Sequence, residues 1–158
     1  MRVLKIFMAT AALLLAASCN QPSAEIKLIE LDSLENTKWY SLDQKNVIFY
    51  DIFYYDNGEG VMLGYDSEER ENEVVNQPFS YTFSPANAQR DAIVMVNFED
   101  GKRYGGAVIP KGLYQINYID VFIIQLYEVD AEGEILYDSL GNFLSTLRMW
   151  NDEPQITE

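Results

Sequence analysis

The 158-residue chain predicts an all-β domain: an antiparallel meander of about eight strands closing into a small barrel, with an open β-sandwich as the alternative. Three observations predict it. Runs of β-branched and aromatic residues recur at short, regular spacing. Tight turn signals separate several of them, above all Asp56-Asn57-Gly58-Glu59. No segment carries a helical period of useful length. A meander of eight that closes on itself removes its sticky edges, and its interior has room for its own side chains or for one small ligand.

Eight runs carry the pattern. The first is Thr37–Leu42, and the second, Val47–Tyr55, is almost wholly β-branched or aromatic. Asn57-Gly58 then predicts a type I′ hairpin turn into the third, Gly60–Tyr65. Ser67–Gln77 holds Glu68, Glu69, Glu71 and Glu73 and reads as a solvated loop. The fourth run, Phe79–Ser84, alternates: Phe79, Tyr81 and Phe83 share one face, as in a half-buried strand. Ala92–Phe98 leads through Glu99-Asp100-Gly101-Lys102, a second hairpin turn, into Arg103–Ile109. Tyr114–Val129 is the longest run and Phe143–Trp150 the last. Between them, turns at Glu132-Gly133 and Leu140-Gly141 flank Ile135-Leu136-Tyr137, a small extra hairpin. The polar stretch 151–158 reads as a frayed tail.

The start of the chain reads as an export signal. Arg2 and Lys5 precede the apolar run Ile6–Ala17, which is too short to span a bilayer as a helix. Residues 1–18 are therefore expected to be cleaved. Leu15-Ala16-Ala17-Ser18-Cys19 resembles a bacterial lipobox, in which the cut falls before the cysteine and its sulfur receives lipid. Small residues at Ala16 and Ser18 also suit ordinary signal peptidase. Cys19 is nevertheless the only cysteine, and an odd cysteine in an exported chain calls for a special role. Residues 19–33 then form a lipidated cysteine and tether, and 34–150 the barrel domain. Asn20 after the cysteine implies, by analogy with lipoprotein sorting, the outer membrane.

Composition narrows the chemistry. Cleavage after Ser18 removes Arg2 and Lys5 and leaves 140 residues, with nine Lys and Arg against 25 Asp and Glu, a formal charge of −16. Such a body is a poor partner for nucleic acid, which needs a basic footprint. Histidine is absent. That excludes Ser-His and Cys-His nucleophile systems and His-based metal sites. The acid-rich turns Asp56–Glu59 and Asp130–Glu134 lack the ligand spacing of a calcium loop. No metal and no cofactor are expected, and the inventory argues against an enzyme, with a carboxylate-dependent hydrolase as the third and weaker reading.

At Leu34-Glu35-Asn36-Thr37-Lys38-Trp39-Tyr40 the chain resembles the opening of lipocalin-like domains, as found in small lipoproteins exported by Gram-negative bacteria. The resemblance implies that Trp39 plugs one end of the barrel with Arg148 of the last strand stacked across it. It also implies a domain that binds a small ligand or peptide.

Two acids interrupt apolar rows. Asp51 lies among Val47, Phe49, Phe53 and Tyr55, and Asp120 among Ile116, Tyr118, Phe122 and Ile124. An uncompensated buried carboxylate is costly, so each needs a partner, water or an outward turn. One reading puts Asp51, Phe53, Tyr118, Asp120 and Phe122 around a ligand in the barrel. The plainer reading turns the acids outward at a bulge or rim. Tyr50 and Tyr54, on the other face of the second run, are either a platform for sugar rings or ordinary core. The functional expectation is a membrane-anchored, non-enzymatic domain binding a small ligand or peptide. The alternative is an accessory module of an envelope or glycan-handling complex, acting through its outer surface.

Overall fold

In the computed structural model the described residues are 29–43, 47–114 and 117–152, those of 113–114 and 117–119 by backbone alone. Cys19 and the expected export signal lie outside them. Ten strands form: β1 (Thr37–Asp43), β2 (Ile48–Tyr54), β3 (Glu59–Tyr65), β4 (Glu73–Ser84), β5 (Ile93–Phe98), β6 (Arg103–Ile109), β7 (Gly112–Tyr114), β8 (Asn117–Ile119), β9 (Ile123–Val129) and β10 (Thr146–Trp150). Eight of them close a barrel in the order β1-β10-β9-β6-β5-β4-β3-β2, each pairing antiparallel. The seam is made where Tyr40 of β1 meets Trp150 of β10. β7 and β8 form a separate two-stranded hairpin in the link from β6 to β9.

Three boundaries differ from the sequence expectation. β4 begins at Glu73, inside the stretch expected to be a loop. Its first half is mostly exposed, so no apolar alternation marks it. Register with β3 holds it in place, with Val75 opposite Gly64, Glu73 opposite Tyr65 and a bulge at Val74 between them. The long seventh run breaks into β7, β8 and β9. The final strand starts at Thr146, because residues 143–145 belong to the preceding hairpin.

The hairpin turn at residues 56–58 also differs from the expected type. Only Gly58 takes positive φ there, at 77°, and Tyr55 N–H donates to Glu59 O at 2.8 Å. That is a three-residue loop ending in a left-handed glycine, not a two-residue type I′ turn. The β5–β6 turn repeats it, with Gly101 at φ 89° and Phe98 N–H donating to Lys102 O.

Among the described residues the barrel core is packed with its own side chains. Leu34, Trp39, Ile52, Tyr54, Val94, Val96, Ile124, Leu126 and Met149 are essentially inaccessible. Tyr54, Phe79, Phe98 and Tyr104 form an edge-to-face chain with centroids 5.3 to 5.8 Å apart, and Tyr81 joins it at 4.9 Å from Tyr54. Each such contact is worth about 0.5–1.5 kcal/mol beyond the area it buries. The expectation that Phe79, Tyr81 and Phe83 share the inner face holds through their register with Phe98, Val96 and Val94. Gly60, opposite Phe79, has no Cβ because the Phe79 ring and the Phe53 carbonyl occupy that space.

One end of the barrel is closed by the chain's own entry. Ile29 pairs with Lys111 through two backbone hydrogen bonds of 2.9 and 3.1 Å. Leu31 packs on the core and Leu34 is fully buried. Trp39 lies beneath, its indole N–H donating to Thr37 Oγ1 at 2.9 Å. At the other end lie the β3–β4, β5–β6 and β9–β10 links.

The interior tyrosines set an alkaline limit. Burial pushes Tyr54 far above the ordinary phenol range, with Tyr81 adding to it. Burial also raises Tyr81 and Tyr50, helped by Glu35 and Asp56 for the first and by Asp43 and Tyr104 for the second. A raised folded-state value leaves full stability below pH about 10 and erodes it above, because the unfolded chain ionises first. Unfolding free energy should therefore fall above pH 10 by about 1.4 kcal/mol per pH unit through Tyr54, with smaller losses through the less buried Tyr50 and Tyr81. Urea titrations at pH 8 to 11 check this, and Tyr54→Phe should flatten the slope.

Candidate functional site

The five residues expected around a ligand are not brought together. Phe122 points inward and is buried, with the Lys111 ammonium 5.0 Å from its ring centroid. Asp120 is exposed in the link before β9. The Tyr118 side chain lies outside the described residues. Asp51 and Phe53 face outward, since their strand neighbours Ile52 and Tyr54 fill the core. This corrects the cavity placement. β2 is apolar on both faces, so its own pattern does not choose a side. Pairing with β1 chooses: Ile52 sits opposite buried Trp39, which puts Asp51 beside Tyr40 outside. No bulge is needed. Tyr54 is core and Tyr50 is half-buried on the same inner face, so neither forms an outer platform.

The expected plug pairing also changes. Trp39 is inside, but Arg148 alternates outward with exposed Thr146, and its guanidinium lies 5.7 Å over the Trp150 ring. The reason is the strand period. Met149 takes the inward place, so its neighbour Arg148 cannot reach Trp39.

Asp51 is 3 % exposed although it lies on the outer wall. Two cations cover it. The Lys38 ammonium is 2.8 Å from Oδ2, and the Arg70 Nε–H donates to Oδ1 at 3.0 Å. Both cations also lie over the Tyr40 ring, at 4.7 and 5.7 Å, and Lys38 over Phe53 at 5.3 Å. Partial burial alone would lower the Lys38 ammonium. The hydrogen bond and charge of Asp51, with Tyr40 adding, outweigh it and hold the group above the ordinary lysine value. Arg70 reaches this spot from the β3–β4 link with φ 58°, and its Nη1 also donates to Glu68 O at 2.8 Å. A left-handed non-glycine residue costs free energy, which the contacts to Asp51 and Tyr40 offset. The cluster thus clamps an acidic loop to the barrel wall.

Arg70 was not identified from sequence. The available signal was a lone base among Glu68, Glu69, Glu71 and Glu73, in a chain whose Asp51 needed a partner. On the same outer wall a shallow groove of about 530 Å³ crosses β3, β4 and β5, lined by Tyr55, Glu59, Val61, Pro78, Ser80 and Asn97.

The β9–β10 link is the second outward feature. Its two turns share one form. Asp130 Oδ1 accepts from the N–H groups of Glu132 and Glu134, and Asp138 Oδ1 from those of Leu140 and Asn142, all at 2.8–3.0 Å. Gly133 and Gly141 close the turns at φ 89° and 81°. Asn142, through its side chain and backbone, and Leu140 hold the Asp138 carboxyl below its usual value. The expected hairpin around Ile135-Leu136-Tyr137 is present: Val129 bridges Ile135, Tyr137 bridges Phe143, and Leu136 N–H donates to Glu128 O. Its apolar side chains are unusually open. Leu140 is 84 % exposed, Tyr137 55 %, Leu144 51 %, Phe143 47 % and Ile135 37 %. Tyr127, Phe143 and Tyr137 form a row of rings with centroids 4.5 and 5.5 Å apart.

No group of acidic, histidine or cysteine side chains suited to a metal ion occurs among the described residues. Comparison with protein-family models, with curated proteins and with solved structures found no match.

Proposed function

We propose that the chain is an exported lipoprotein, anchored in the outer membrane through lipid on Cys19, whose lipocalin-like barrel is a non-enzymatic interaction module of the cell envelope. It works through its outer surface. The observation that carries this reading is the packed core of the described barrel, where Trp39, Tyr54, Leu126, Met149 and the edge-to-face aromatic chain stand at inward positions that a ligand-carrying domain would leave open. The charged cluster of Asp51, Lys38 and Arg70 lies outside. So do the openly exposed aromatic side chains.

Native mass spectrometry of the protein purified from its host's envelope tests the reading. The expected spectrum shows the lipidated polypeptide mass, alone or with a protein neighbour. A stoichiometric small molecule that survives detergent exchange would overturn it in favour of a ligand carrier.

A further inference from the structure

We infer that the hairpin Asp130–Ser145 is a docking site for a protein partner whose matching surface is an apolar cleft rimmed by lysine or arginine. The inference rests on reading the chain as an interaction module and names the partner chemistry.

Four observations carry it. First, five large apolar side chains stand open on one short link, where a soluble monomer normally exposes them singly. Second, the link is braced by its own contacts. Two aspartate-capped turns fix its backbone and the Tyr127–Phe143–Tyr137 row fixes its rings, so little ordering cost remains on binding. Aromatic side chains held this way are the usual anchors of protein interfaces. Third, the apolar row is framed by Asp130, Glu132, Glu134 and Asp138, with no base within the link. Arg103, which reaches the link, is turned to the Ala131 carbonyl. A basic rim on the partner complements that frame. Fourth, the hairpin projects at the end of the barrel opposite Ile29, where the described chain enters. The same acids disfavour a second copy of this chain and an anionic bilayer as occupants.

Selection of a phage-displayed random dodecapeptide library on the whole purified protein tests this. Two variants serve as controls: Tyr137→Ser/Phe143→Ser removes the ring row, and Glu132→Lys/Glu134→Lys reverses the frame on exposed side chains. The expected peptides combine Lys or Arg with aromatic or aliphatic residues, and both variants should weaken their binding by about tenfold or more. Peptides that bind both variants as tightly as wild type would overturn the hairpin as the site while leaving the interaction reading intact. So would a wild-type selection showing no enrichment for basic-apolar sequences. A blue shift of a Leu140→Trp variant on phosphatidylcholine vesicles would make the occupant a membrane. A dimer lost in the ring-row variant would make it a second copy. Failure of the broader reading shows up separately, as a small molecule retained in the native mass spectrum.

Discussion

Replacing Lys38 and Arg70 together by methionine should destabilise the fold by about 3 kcal/mol or more, since it leaves the Asp51 carboxylate buried with no counter-charge. Methionine keeps an unbranched apolar stem but removes the charged heads from Asp51 and from the Tyr40 and Phe53 rings, so the loss reports the ion pairs and the cation–π contacts together. Each single replacement should cost less, about 1–2 kcal/mol, because the remaining cation still meets one carboxylate oxygen. The triple variant with Asp51→Leu should recover most of the loss, since a buried ion cluster and an apolar filling of similar volume are often close in free energy. Urea unfolding midpoints at pH 7 measure all four proteins. A double variant within about 1 kcal/mol of wild type would mean that water reaches Asp51 and the clamp is not sealed. Loop residues 66–72 should also lose proteolytic protection in the Arg70 single variant, because Arg70 is their tie to the wall.

This cluster shows what the sequence reveals and what it hides. The barrel was legible because turns and alternation are local. Gly58 and Gly101 mark hairpins wherever they fall, and Phe79, Tyr81 and Phe83 mark an inner face without help from other strands. β2 was not legible in the same way, since Phe49 and Phe53 are as apolar as Ile52 and Tyr54. Its facing depends on which row meets Trp39, and that is set by long-range pairing. The same ambiguity put Asp51 in a cavity. Its cations come from 13 residues upstream on β1 and 19 residues downstream in a loop, a conjunction that no local pattern announces. The start of β4 was missed for a related reason: a strand held by its neighbour's hydrogen bonds needs no apolar face. The exposed hairpin was partly legible. Both its turns could be read from Asp and Gly spacing, but openness at Leu140 and Phe143 is a property of what fails to pack on them, and sequence reports composition rather than neighbours.

Gly106→Ala should be the most damaging single methyl on the barrel, costing about 3 kcal/mol or more, while Gly105→Ala next to it should cost about 1 kcal/mol or less. Neither glycine has positive φ, so backbone strain does not separate them. Their surroundings do. Gly105 points outward under Met95, and an added Cβ would meet the Met95 sulfur at 2.7 Å. A thioether at the end of a flexible side chain can swing away. Gly106 points inward, opposite Leu126 of β9, and its added Cβ would land on the Gln125 carbonyl oxygen and 2.9 Å from the Leu126 Cα. Backbone cannot swing without opening the ladder. β6 would have to part from β9 at its centre, losing hydrogen bonds there and unpacking Leu126, which has no exposure at all. Glycine in a barrel strand marks such a close approach. Thermal melts of the two alanine variants decide the matter. Equal melting temperatures would mean that β6 and β9 slide apart cheaply, and the barrel would then close by the pairing of its edges rather than by a tightly packed seam at Gly106.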